Sequence, residues 1–433
     1  MLIRFSVANW RSIRSEQEIS FVASALKNGR VDTFASPALN ERLLPALAIY
    51  GANASGKSNV IEALRVLRSL VIRSHRTGAP GEKLPIDPFR LDREHSTKPT
   101  AFMLEFILSD VRYQYALTVT AEKVVEESLY AFPSKRPQLW YARDEEGFDF
   151  GRKLKGKNTS IQELTRPNSL FLSAAATSNH EQLTLIFNFF RDQLVLYDEI
   201  PAFPQATNER HVKEEDKKAR LVSILKHADI GIEDILERAQ PENEKAKALT
   251  DDLKAVLKKH IGGNEEMNFE LPKMVHLQLV HRGSDGFGEF SMASESRGTI
   301  QLLNLLPAIF DALEAGSTLL VDEIDTSLHP LLAREVVRFF QSKETNRKGA
   351  QLIFTTHDVN LLTRDVLRRD QIWFTEKDHC GASTVFPLTD IKTRSNDNIQ
   401  KAYLEGRYGA VPYLKRLTQI LADENALDDT ALS

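Results

Sequence analysis

Apolar positions follow two different periods along this chain. Leu2-Ile-Arg-Phe-Ser-Val7 and Glu18-Ile-Ser-Phe-Val22 predict two strands. Leu47-Ala-Ile-Tyr50 is short and continuously apolar, as a buried strand should be. Val60, Leu64, Leu67 and Val71 then recur at helical spacing, which predicts a helix ending near Arg73. Residues 27–42 are polar and loop-like. Residues 74–100 hold four prolines and two glycines, which predicts an extended surface connection. From Ala101 to about Asp149, the runs Phe102–Leu108, Tyr113–Val119 and Val124–Tyr130 are separated by short polar turns, which predicts an antiparallel sheet.

Residues 180–261 read as mostly helical. One apolar stripe is Leu183, Ile186, Phe190 and Leu194; another is Leu249, Leu253, Val256 and Leu257. Lys213–Arg220 reads as an exposed helix face. Strand character returns at 271–291, and Ile300–Leu313 is a strongly apolar helix. Thr318-Leu-Leu-Val321 is a buried strand ending in Asp322-Glu323. Ala333–Phe340 is helical, and Gln351–His357, Gln371–Phe374 and Thr384–Leu388 are strands. The tail beyond Asp423 is acidic and expected to fray. No heptad or internal repeat is seen. Four segments follow: an N-terminal lobe at 1–175, a helical insertion at 176–270, a C-terminal lobe at 271–415 and a tail at 416–433.

Composition narrows this picture only a little. Lys and Arg number 56 against 60 Asp and Glu, so the net charge of −4 gives no global argument for nucleic acid or membrane. A local basic run, Arg152, Lys153, Lys155 and Lys157, reads as a solvated hairpin tip or as a phosphate-backbone contact. The lone cysteine, Cys380, excludes an intramolecular disulfide and a cysteine-rich zinc site. The longest apolar candidate, around Leu302–Leu320, is interrupted by Asp311 and Glu314, and the start lacks a signal-peptide pattern. The expectation is a cytoplasmic protein without a membrane partner.

The chemistry begins at Gly51-Ala-Asn-Ala-Ser-Gly-Lys57-Ser58, which fits G-x-x-x-x-G-K-[ST] between a strand and a helix. Gly51 and Gly56 permit a tight turn whose backbone N–H groups surround a polyphosphate at the helix N-terminus. Lys57 would reach the β- and γ-phosphates, and Ser58 would ligate Mg²⁺. Asp322, at the end of its strand, is the expected second holder of Mg²⁺, and Glu323 could polarise an attacking water as general base. His357 ends another apolar strand, where a γ-phosphate contact is expected. Ser296-Arg297-Gly298 opens a helix; an anion site and simple capping by Ser296 explain it equally well.

The order of these motifs resembles the ABC-type ATPase head, and more closely the group containing the SMC, RecF and OLD proteins. Asn9-x-Arg11-Ser12 and Gly51-x-Asn53-x-Ser55-Gly56-Lys57-Ser58-Asn59 are similar to that group's versions. Lys401–Pro412 looks like the ending of stand-alone bacterial AAA family ATPases, many of them associated with abortive infection and anti-phage defence. The similarity covers roughly 1–175 and 270–415. It implies an α/β fold: a P-loop mixed sheet and an antiparallel β subdomain, with an inserted mostly helical segment.

By that resemblance, Gly51–Ser58 is Walker A, and Ser296, Arg297 and Gly298 are the signature, departing from the common Ser-Gly-Gly. Asp322 and Glu323 are Walker B, Asp325 is the D-loop acid and His357 the switch histidine. Arg11 and Ser12 would touch the nucleotide; no Q-loop glutamine is identified. The resemblance also implies ATP and Mg²⁺ as ligands, and a homodimer in which each chain's signature completes the other's site. Three functions compete: an ATPase switch controlling a separate toxin or nuclease, a DNA-binding repair or chromosome ATPase, and a slow scaffold that holds a partner protein.

Overall fold

The computed structural model describes residues 1–25, 31–197, 211–228, 231–239, 275–393 and 397–411. Its strands are β1 (Leu2–Ala8), β2 (Gln17–Ser20), the short pair β3 (Phe34–Ala35) and β4 (Arg42–Leu43), and β5 (Ala46–Gly51). β6 (Thr100–Leu108), β7 (Val111–Val119), β8 (Val124–Phe132), β9 (Gln138–Arg143), β10 (Phe148–Phe150) and β11 (Leu194–Tyr197) follow. Then come β12 (Ile232–Ala239), β13 (Val275–Gly283), β14 (Gly286–Ser291), β15 (Thr318–Val321), β16 (Gln351–Thr355), β17 (Ile372–Lys377) and β18 (Ser383–Pro387).

The chain divides into two compact units: 1–196, 312–325 and 333–433 form the first, and 197–311 with 326–332 the second. These units cut across the sequence-based segments. Residues 176–196, expected in the insertion, group with the first unit, while 275–311 and 326–332, expected in the C-terminal lobe, group with the second.

The first unit contains an antiparallel sheet in the order β10-β9-β8-β7-β6-β1-β2. Its alternating apolar residues, such as Phe102, Leu104 and Phe106 on β6, are buried, as period-two patterning against a core requires. The expected sheet at 101–149 is therefore present, and β1 and β2 extend it. A second sheet runs β11-β15-β16-β5-β17-β18. Its centre is parallel from β15 through β16 and β5 to β17, and β18 returns antiparallel. β5, β15 and β16 are buried at every position, the continuous apolar pattern of a parallel sheet covered on both faces. Gln351 ties the sheets together: its Oε1 accepts from Leu2 N at 2.5 Å and its Nε2 donates to Leu2 O at 2.9 Å.

Glu127 is a fully buried carboxylate in the first unit. It accepts from Tyr115 OH, Tyr141 OH, Phe171 N and Leu172 N at 2.7–3.1 Å, and Arg143 lies 3.9 Å away. Four donors and a guanidinium replace the water that the charge gives up.

In the second unit, β12-β13-β14 form an antiparallel sheet beside the helix Glu215–His227. The helical expectation over 180–261 holds at Glu181–Asn188 and Glu215–His227 but fails at Leu194–Tyr197, which is β11, and at Ile232–Ala239, which is β12. The pairing partner of β12, β13, lies far along the chain, and that distant ladder overrides local preference. Leu183, Ile186, Phe190 and Leu194 are all buried, but they do not form one helical stripe: only the first two lie on the helix Glu181–Asn188, and Leu194 opens β11. The Leu249–Leu257 stripe and the tail lie outside the described residues. Residues 151–157 connect β10 to the helix Asn158–Leu164 rather than capping a hairpin. Among the described residues, no helix is long and apolar enough to cross a membrane.

Candidate nucleotide site

The site is assembled where β5, β15 and β16 end together. β5 runs into the glycine-rich loop, and the helix Lys57–Arg73 starts directly after it. Gly56 caps that helix in the left-handed region at φ 108°. A side chain there would be strained and would also strike Ser383 and Ser12, so glycine is required twice over. Burial of Val60, Leu64, Leu67 and Val71 fixes the helix, and with it the direction of its N-terminus.

Lys57 is buried, and its Nζ donates to the carbonyls of Gly51 at 3.0 Å and Ala52 at 3.1 Å. Burial lowers its pKa below the usual lysine range; the nearby carboxylates of Glu323, Asp322 and Asp325 pull it back. Its cation is thus folded into the loop that would hold phosphates. Ser58 Oγ donates to Asp322 Oδ1 at 3.1 Å. A hydroxyl and a carboxylate side by side are hard oxygen donors, and they suit a Mg²⁺ that keeps several of its waters.

Asp322 Oδ1 also accepts from Thr355 Oγ1. The same Thr355 oxygen accepts from Glu323 N at 2.7 Å. Glu323 is exposed and has φ 52°, a left-handed conformation rare for a residue with a side chain. Two residues further on, the Asp325 carboxylate accepts from His357 N at 3.3 Å, while the residue His357 is exposed. The structure therefore gathers Lys57, Ser58, Asp322, Glu323, Asp325 and His357 at one sheet edge, as the sequence predicts.

The flanking residues meet through hydroxyls. Asn59 Nδ2 donates to Ser12 Oγ at 2.6 Å, and Ser383 Oγ lies 2.7 Å from Ser12 Oγ and 2.6 Å from Ser55 O. Ser55 Oγ pairs with Thr375 Oγ1 at 2.6 Å. These bonds brace the loop from behind. Asn53 is exposed at the loop tip. Arg11 lies over the Trp10 ring, with its guanidinium carbon 5.2 Å from the centroid, and faces Asp87 at 4.0 Å.

Ser296, Arg297 and Gly298 belong to the second unit. Ser296 Oγ accepts from Thr299 N at 3.1 Å, so it caps the helix Arg297–Ala315. Both Ser296 and Arg297 are exposed. A Cβ on Gly298 would come within 2.5 Å of Ser327 O, so the helix start packs closely on that backbone.

Sequence reasoning missed Thr355, Thr375 and Ser383. Thr355 carries one signal, a polar residue directly after the apolar run Leu352–Phe354; the other two offer none before the sheet order is known. Asp92, Glu94 and His95 also place ligand-type atoms within 4.8 Å of one another, a grouping not foreseen. These groups already have partners: His95 Nδ1 is 2.8 Å from Asp92 Oδ2, and Glu94 pairs with Lys98.

A family model described as "AAA domain, putative AbiEii toxin, Type IV TA system" matches residues 47–363, well over half of the chain. The SMC head domain from Thermotoga maritima is 14% identical, covering 90% of this chain and 99% of that one. Its TM-score of 0.38 is too low to support an argument. No curated protein sequence matches the chain. On the family match, across a stretch that includes the phosphate-loop strand, the acidic strand end and His357, this chain belongs to the family of AAA domains described as putative AbiEii toxin, type IV TA system.

Proposed function

We propose that the chain binds ATP with Mg²⁺ at this sheet edge and hydrolyses it as a dimer or higher oligomer, serving as the switch of an anti-phage defence system. One observation carries the ATPase reading: Ser58 and Asp322 meet at 3.1 Å beside Lys57, with Glu323 next in the chain. The loop amides and Lys57 would bind the β- and γ-phosphates. Ser58 and Asp322 would hold Mg²⁺, which when bound neutralises charge on the phosphates. Glu323 would take the proton of the attacking water, and His357 would orient the γ-phosphate. Ser55, Asn59 and Ser12 hold the loop in shape, and Arg11, next to Ser12 in the chain, would touch the nucleotide only by leaving Trp10 and Asp87.

The exposed Ser296 and Arg297 at this helix start support a site shared between copies. The cap uses the Thr299 amide, so the amides of Arg297 and Gly298 would be the ones to meet a partner's γ-phosphate. Two copies related by a two-fold axis would then enclose two nucleotides. The family description names a toxin and a toxin–antitoxin system. Applied to this chain, it supports control of a separately encoded toxin or nuclease.

A second reading, a DNA-binding ATPase, is favoured by Arg152, Lys153, Lys155 and Lys157. All four are exposed, and no ion pair involving them is seen among the described residues. It predicts binding to duplex that weakens steeply with salt.

Mass measurement of the chain with and without Mg–ATP, for wild type and Glu323→Gln, tests the main reading. The variant should retain ATP and remain dimeric while hydrolysis falls by about 10²-fold or more. Wild-type hydrolysis by the variant would sink the base assignment. A monomer under every condition would sink the shared site.

A further inference from the structure

β16 lies between β15, which leads to Asp322, and β5, which leads to the phosphate loop. Its last residue is Thr355, which is fully buried. Register places Val321 beside Phe354 and Ile49 beside Thr355, so Thr355 reaches both neighbouring strand ends. A hydroxyl has one proton to give and lone pairs to accept. Thr355 uses both. It gives its proton to Asp322 Oδ1 and accepts the Glu323 N–H at 2.7 Å. Its own carbonyl accepts from Ile324 N at 3.1 Å. The chain of donors therefore runs from Glu323 N–H, through the Thr355 hydroxyl, to the carboxylate that also receives the Ser58 hydroxyl.

We propose that Thr355 is a positioning residue that sets the Asp322 carboxylate for Mg²⁺ and holds Glu323 in its turn. The inference rests on the ATPase reading above and goes one layer behind it. Two donors, Thr355 and Ser58, converge on Oδ1 of Asp322. They restrain how the carboxylate can rotate, and with it the direction of Oδ2. Carboxylate ligands held this way by outer partners bind metal more tightly than loose ones. The backbone of Glu323 is left-handed at φ 52°, a conformation that survives only where neighbours impose it. The bonds from Glu323 N and Ile324 N to the one residue Thr355 impose it. Thr355 thereby couples the metal-holding acid to the base beside it, without touching nucleotide itself.

Valine has nearly the shape of threonine and lacks the hydroxyl. In Thr355→Val, Asp322 loses a donor and Glu323 N–H loses its acceptor, while the strand keeps its packing. Thr355→Ser keeps the hydroxyl and loses only a methyl. Calorimetric titration of a non-hydrolysable ATP analogue, over a series of Mg²⁺ concentrations and in EDTA, separates metal from nucleotide affinity. For Thr355→Val, the Mg²⁺ needed for half-saturation should rise about tenfold or more. Affinity for the analogue in EDTA should stay within about twofold of wild type, and Thr355→Ser should restore the Mg²⁺ response to within about threefold of wild type. The inference is overturned if the valine variant keeps the wild-type Mg²⁺ response. It is equally overturned if that variant loses affinity by the same factor in EDTA, or if serine fails to restore the response. Should the wild-type chain itself bind no analogue with Mg²⁺, the ATPase reading fails and takes this inference with it. A wild type that binds and a valine variant that matches it would sink this inference alone.

Discussion

The Ser58 hydroxyl donates to Asp322 Oδ1 at 3.1 Å, although the two residues stand 264 positions apart in the chain. Ser58 is there because the helix Lys57–Arg73 starts at the loop's end; Asp322 is there because β15 stops one residue earlier. Both placements follow from where the two elements begin and end.

That pair yields the first prediction. Asp322→Asn should remove at least about tenfold of the Mg²⁺-dependent part of ATP-analogue affinity and leave binding in EDTA nearly unchanged. Titration calorimetry in the two conditions checks it. Equal losses in both would mean that Asp322 shapes the loop rather than the metal site.

Lys57 gives a pH dependence with a definite sign. Burial lowers its pKa, so on raising the pH its charge is lost earlier than for an exposed lysine. Below that pKa the cation is already present, and nucleotide affinity should be flat. Above it, binding must take up a proton, and affinity should fall. Glu323 and Asp322 oppose the lowering, so Glu323→Gln should move the fall to lower pH. Affinity measured between about pH 7 and 10.5 decides it; an unmoved or upward-moved profile in the variant would refute the coupling.

A shared site makes a complementation experiment decisive. Ser296→Arg places a bulky cation at an exposed helix start, and Lys57→Ala empties the phosphate loop. Each variant alone should hydrolyse ATP at least about 100-fold more slowly than wild type. Mixed one to one, they should recover a measurable share, because a heterodimer contains one intact composite site. A mixture as inactive as its parts would mean that each copy works alone.

Glu127 is a prediction about stability rather than chemistry. Glu127→Ala would leave Tyr115, Tyr141 and two backbone donors without their acceptor in a buried site. The loss should be about 3–5 kcal/mol, as for other broken buried charge networks. Urea unfolding monitored by circular dichroism measures it. A change below about 1 kcal/mol would mean that water reaches the site and replaces the carboxylate.

The chain's own order of residues determined the local chemistry. The phosphate-loop pattern specifies strand, turn and helix because its glycines and its flanking apolar periods act over a few neighbours. Asp322, Glu323 and His357 were legible for the same reason, each closing a short apolar run. Tertiary structure alone decided who stands beside whom. Thr355 gains its role only once β16 is seated between β15 and β5, and Ser383 only once β18 returns beside Ser12. Ile232–Ala239 became a strand because β13, a partner far along the chain, pairs with it. Hydrogen bonds across a sheet are set by strand order, and strand order is a property of the packed core rather than of any local window.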